Sequence, residues 1–158
     1  AAGTTTTALA TTTTPPATPE LDALLPPNYG STSLAAGFLP DPFSQVLTSG
    51  GSIDASYLGG GCLGWATAAP DVEIKWTSAG TALRFFFIAD TTGDDTVLII
   101  NDPAGTWWCV DDSYGTPNPT IDFATGPTGT YDGWVASYAT DTFIPGTLYI
   151  TEVEANHP

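Results

Sequence analysis

From Tyr29 onward the chain is a succession of short apolar or alternating runs cut by Gly, Pro, Asp and Asn, and no stretch repeats its apolar positions at the helical period. Runs of this kind predict strands. Eleven are expected, over residues 32–38, 44–47, 52–56, 63–66, 72–76, 82–89, 97–101, 107–110, 120–123, 131–138 and 147–153. Turn signals such as Pro40-Asp41-Pro42, Gly59-Gly60-Gly61, Gly93-Asp94-Asp95 and Asp102-Pro103-Ala104-Gly105 stand between most of them. Short strands at such regular spacing predict an all-β fold, an antiparallel β-sandwich of jelly-roll-like form. In the run 82–89, Leu83, Phe85 and Phe87 alternate with Arg84, Phe86 and Ile88, so both faces are largely apolar. That strand is expected centrally, between two layers.

The pattern breaks down before Pro27. The first eighteen positions hold nine Thr, Pro15, Pro16, Pro19, Pro26 and Pro27 follow, and no aromatic occurs in residues 1–27. Such a segment cannot bury a core of its own. The expected organisation is therefore an extended Thr/Pro-rich tail over 1–27 and a β-sandwich over 28–158. Extended at about 3.1 Å per residue the tail reaches roughly 80 Å, against a radius of gyration of about 14 Å for the body. A tail of that length is expected to lie on, or insert into, neighbouring subunits. Thr-rich sequence favours strands, and no Pro interrupts Thr4 to Thr14. The tail can thus add a strand to another copy's sheet, with Thr5, Thr7, Thr11 and Thr13 along it and Leu9 as its apolar plug. Leu21, Leu24 and Leu25 are expected to pack at its root. A head-to-tail contact that does not close produces a filament. The other reading of the same segment is an O-glycosylated stalk modified at Thr4, Thr5, Thr6, Thr7, Thr11, Thr12, Thr13 and Thr14. N-glycosylation has no sequon, because Pro119 blocks Asn118-Pro119-Thr120.

Charge sharpens this division. The 158 residues carry seventeen acids against two basic residues, a net charge of −15, although only 12% of residues are charged. Near-absence of Lys and Arg excludes nucleic acid as a partner, since two cations cannot neutralise a phosphate backbone. Hydrophobic residues at 42% and aromatics at 11% suffice for a packed core, and no apolar run is long enough for a membrane span. Fifteen of the acids lie beyond residue 27, leaving Glu20 and Asp22 in the tail. An acidic body would repel its copies unless cations intervene, whereas a nearly neutral tail suits insertion. Ala1-Ala2-Gly3 resembles a mature end left by signal peptidase, which predicts secretion to the cell surface or beyond. In that compartment Cys62 and Cys109 form one disulfide; the alternative is two buried thiols.

Several stretches resemble one family: Gly37-Phe38-Leu39-Pro40-Asp41-Pro42-Phe43, Gly61-Cys62-Leu63-Gly64-Trp65, Ala69-Pro70-Asp71, the run Asn101-Asp102-Pro103-Ala104-Gly105-Thr106-Trp107-Trp108-Cys109-Val110-Asp111-Asp112-Ser113, Asn118-Pro119 and Gly129-Thr130-Tyr131-Asp132-Gly133-Trp134-Val135. They are similar to the bacterial pre-peptidase C-terminal (PPC) type of β-sandwich module, over about three quarters of the chain. That resemblance implies a bacterial, extracellular, non-catalytic domain, in related sandwiches sometimes calcium-bound. Such domains are often appended to enzymes, whereas here a Thr/Pro tail stands in the enzyme's place.

Catalytic chemistry has little material. His157 is the single histidine and stands one residue from the end, with Lys75 and Arg84 the remaining basic side chains. Among seventeen acids some pair will fall at a glycosidase spacing by chance, so no enzyme is expected. Asp90, Asp94 and Asp95 in one loop, with Asp111, Asp112 and Asn118 beyond the 107–110 strand, offer the oxygen ligands that Ca²⁺ takes. Equally, these residues can serve as Asx-turns at strand ends. Trp65, Trp76, Trp107, Trp108 and Trp134 suit core packing first, with one of the adjacent pair Trp107 and Trp108 facing outward. The function expected is a structural subunit that assembles with copies of itself into a filament or surface polymer. The alternative is a PPC-like binding module for polysaccharide or an enzyme partner.

Overall fold

The computed structural model describes residues 17–158, so the expectations for Thr4 to Thr7, Leu9 and Thr11 to Thr14 lie outside the described residues. Among the described residues eleven strands occur, each at a position where the alternation predicts one: β1 (Ser31–Leu34), β2 (Phe43–Thr48), β3 (Ile53–Asp54), β4 (Trp65–Ala66), β5 (Val72–Trp76), β6 (Thr81–Ala89), β7 (Thr96–Asn101), β8 (Trp107–Val110), β9 (Thr120–Gly126), β10 (Gly129–Ser137) and β11 (Pro145–Thr151). Seven form one sheet and four the other, in the order β2-β11-β6-β9. The fold is a β-sandwich, antiparallel except where β1 runs parallel to β5. β10 is the axis of the larger sheet. Its Gly129–Gly133 half pairs with β5, its Asp132–Ser137 half pairs with β7 on the other side, and Ser137 meets Trp65 of β4.

Two expected strands are cut short by local hydrogen bonds. The run 32–38 ends at Leu34, because Ser78 Oγ takes the Ala36 amide at 2.8 Å and the Phe38 amide turns back to Ala35 O. The run 52–56 ends at Asp54, whose carboxylate accepts from the Ser56 amide at 2.9 Å and caps a 3₁₀ turn, Ala55–Leu58. Nearby, Gly51 lies where a Cβ would fall 2.1 Å from the Ala66 backbone, so only glycine lets these segments meet.

Sheet on sheet, the main core joins Leu83, Phe85 and Phe87 of β6 to Leu98 and Ile100 of β7, with Trp76, Tyr131 and Leu148 around them. The other apolar residues of β7, Val97 and Ile99, face the opposite way into a second buried cluster. There Trp134 and Ala136 of β10 pack with Ile53, Ala55, Ala66 and Leu21, and Trp107 and Cys109 close the margin. The larger sheet is therefore covered on both faces, which explains why β7 reads as an unbroken apolar run. β6 does not lie between two such layers, as its pattern suggested. It is central within its sheet, but its outer face is covered by side chains and by the C-terminal residues. Phe86 stacks on Tyr149 at 4.9 Å, and Arg84 pairs with Asp122 while donating to the carbonyls of Glu154 and Asn156.

Where β10 changes partner from β5 to β4, its backbone would be left unpaired at Val135. Asp71 fills the gap. Its Oδ2 accepts the Val135 amide at 2.8 Å, its Oδ1 accepts Asn28 Nδ2 at 3.2 Å, and the Gly50 amide takes Val135 O at 3.1 Å. Asp71 is almost wholly buried, and that burial pushes its carboxyl up to about 6. The same bonds fasten the chain before Tyr29 to the body, together with the Asp22 amide on Ala68 O and the Leu21 amide on the Tyr57 hydroxyl. Among the described residues, no helix is long and apolar enough to cross a membrane.

Candidate functional site

Register decides which acidic residues meet. β7 and β8 pair antiparallel, with Leu98 opposite Val110. Extending that ladder brings the residues before Thr96 beside those after Val110. Asp95, Asp111 and Asp112 consequently each place a carboxylate oxygen within 4.8 Å of the others. The Tyr138 amide holds Asp95 O at 3.1 Å, and reciprocal backbone bonds between Ser113 and Thr116 close the loop that follows.

Crowding has an electrostatic cost. Asp111 is pushed up to about 6, first by desolvation and then by the charges of Asp95 and Asp112. Asp95 is also raised, by burial and by the charge of Asp112. Oδ1 of Asp95 and Oδ1 of Asp111 are both buried without a hydrogen-bond partner. Orphaned carboxylate oxygens facing like charge are what a hard divalent cation satisfies, so the donor set fits Ca²⁺. Backbone carbonyls and water would complete the six to eight oxygens such an ion takes.

The other candidate ligands stand apart from this trio. Asp90, exposed, and Asp94, half-buried, stand in the turn between β6 and β7, outside the group that converges. Asn118 is occupied structurally, its Oδ1 accepting the Ala89 amide at 3.0 Å. Cys62 and Cys109 are joined in a disulfide that ties the loop after the 3₁₀ turn to β8. Leu21 is buried in the second cluster, as expected of the tail root, but Leu24 and Leu25 are exposed. The Asp22 carboxylate accepts the Leu24 amide and the Asp22 carbonyl the Leu25 amide, a turn that swings both side chains into solvent.

Of the tryptophans, Trp76 and Trp134 are buried and Trp107 lies 5.2 Å from Trp134, while Trp108, half exposed at the sandwich margin, packs edge-on against Phe123 at 5.5 Å and donates its Nε1–H to Asp102. His157 stacks on Tyr114 at 4.0 Å, and Arg84 lies over the same tyrosine ring. Sequence reasoning missed Asp132, which is 7% exposed with an unpartnered Oδ1 and is pushed up to about 6 by burial and by Glu73 opposite it. Its signal was a lone acid between Tyr131 and Trp134 inside an apolar strand.

No family model matches the chain, and no curated protein matches it. Among solved structures, the chain is similar to the pre-peptidase C-terminal domain of a collagenase from Bacillus anthracis, at 11% identity over 77% of this chain and 92% of that one, with a TM-score of 0.36.

Proposed function

We propose that the protein is a non-catalytic, extracellular structural subunit that polymerises through its N-terminal extension, with calcium held by Asp95, Asp111 and Asp112. The observation that carries this reading is the anchored root. Leu21, Asp22, Asn28 and Tyr29 are fastened to the body by packing and hydrogen bonds, while residues 1–19 carry no charged side chain in a chain of net charge −15. A neutral, Thr-rich strand donor fixed at one end to an acidic body has the design of a linker between subunits. The disulfide suits an oxidising compartment. Deleting residues 1–14 is expected to abolish polymers seen by negative-stain microscopy while leaving a folded monomer. Filaments that persist after the deletion refute the reading.

Calcium has its own test, in the pH dependence of stability. Asp111 rises from 3.8 in the unfolded chain to about 6 in the fold, so the folded state holds the extra proton between those values. Without calcium, stability is then expected to fall as pH rises through that window, since the native state binds more protons than the unfolded state there. Asp71 and Asp132, also raised to about 6, act in the same direction. Calcium binds the ionised trio, so its stabilisation should grow over the same rise. At a hundredfold excess over Kd it amounts to about 2.7 kcal/mol. Thermal melts with calcium and with a chelator should diverge at about pH 7.5 and converge at about pH 5. Identical melts at the higher pH would exclude the site.

A further inference from the structure

We propose that the free edge of β2, with the uncharged sheet face beside it, is the acceptor for residues 4–14 of a second copy of this chain. This rests on the assembly reading above and names its docking surface. Edge strands are commonly protected by charge, brevity or cover. Among the described strands, β3 spans two residues, β1 spans four, β8 runs directly into Asp111 and Asp112, and β9 carries Asp122. β2 has none of these devices. Its six residues, Phe43-Ser44-Gln45-Val46-Leu47-Thr48, contain no charge, and neither do the seven of its neighbour β11. In a chain with seventeen acids this is a neutral zone.

Hydrogen bonding shows which groups face out. The Thr48 amide, opposite Pro145, is bonded to the Tyr29 hydroxyl at 3.0 Å and so points away from β11. Because outward and paired residues alternate along an antiparallel ladder, the Val46 and Ser44 amides point outward too. The Val46 carbonyl is met only by the side-chain amide of its neighbour Gln45 at 2.9 Å. Tyr29 therefore stops the edge at Thr48 and leaves Ser44 to Val46 open. Across the adjoining face, Val46 lies opposite Thr147 and Thr147 opposite Ile88, and Val46 is 69% exposed.

The occupant must bury its own side chains against this face without introducing charge. Residues 1–19 are free of charge, and within them Thr4 to Thr14 contains no proline to interrupt a ladder. Strand addition would then join subunits through backbone hydrogen bonds at Ser44 and Val46, with Leu9 and the threonine methyl groups on the neutral face. Contact of this kind avoids the acidic surfaces of both subunits.

Sedimentation of the full chain and of two full-length variants tests the assignment. Val46→Lys puts an ammonium on the acceptor edge, and Ser33→Lys makes the equivalent change on the exposed edge of β1. Wild type and Ser33→Lys are expected to polymerise, and Val46→Lys to sediment as the 16.3 kDa monomer. Backbone hydrogen exchange of the wild type gives a measure independent of any variant's folding: the Ser44 and Val46 amides should slow by at least about tenfold on assembly. Polymerisation of Val46→Lys with those amides still exchanging fast overturns the edge assignment and leaves the tail reading standing. Slow exchange at both amides in a dilute monomer gives the edge to the chain's own tail and overturns the second-copy contact. A wild type that stays monomeric at every concentration overturns both.

Discussion

Replacing Cys62 and Cys109 together by alanine is expected to lower stability by about 4 kcal/mol, the loop-closure entropy for a sequence separation of 47. For a domain of this size that corresponds to a fall in melting temperature of roughly 8–16 °C. The bridge closes over the outer face of the larger sheet, where β3, the 3₁₀ turn and the tail root are short pieces with few ladder bonds of their own. Unbridged, that layer has side-chain packing and a few hydrogen bonds to hold it against β7 and β10. Reductant should accordingly reproduce the effect of the double substitution in the wild type and do nothing further to the variant. A wild type whose melt is insensitive to reductant would show that the bond contributes nothing in solution.

Strand identity was legible because the sandwich alternates. Leu83, Phe85 and Phe87 announce an inward face, and the Gly, Pro and Asp clusters between runs mark where the chain must turn. What alternation cannot show is which element covers an apolar face. β6 and β7 both read as apolar on two sides, yet β7 is covered outside by packed Leu21, Ile53 and Trp134, while β6 is covered by Tyr149 and the C-terminal residues. Both arrangements are set by contacts distant in sequence. The candidate metal site divides in the same way. Six oxygen ligands follow from composition, but only the β7–β8 register brings Asp95, Asp111 and Asp112 together and leaves Asp90 and Asp94 outside the group. Asn118 was taken by the Ala89 amide, a bond between residues 29 apart along the chain. Asp71 and Asp132 went unrecognised because a single carboxylate beside or within an apolar strand carries no periodic signal, although burial raises both.

Trp134→Ala should cost about 4 kcal/mol, near the middle of the range for removing a buried large aromatic. The ring is fully buried, packs 5.2 Å from Trp107, and lies in the cluster that contains Leu21. Its indole Nε1 has no hydrogen-bond partner, so what the alanine variant loses is packing alone. Trp134→Phe keeps most of that packing and should cost about 1–2 kcal/mol, the scale of a partial cavity. Denaturant unfolding measures both as a shift in midpoint at constant slope. A phenylalanine variant as unstable as the alanine one would mean that Nε1 satisfies a group not recognised in the core. The damage should also be local. Hydrogen exchange at the Asp22 amide, which bonds Ala68 O beside this cluster, should accelerate more than at Leu148 in the main core. Because Cys109 packs against the same cluster, the triple variant lacking Trp134 and both cysteines should lose less than the sum of the two effects, since once the bridge is gone the layer can collapse into the space the indole leaves. Additive losses would instead make the bridge and the indole independent supports. Either way the root of the tail shares in the effect, since Leu21 is buried in the same cluster as Trp134.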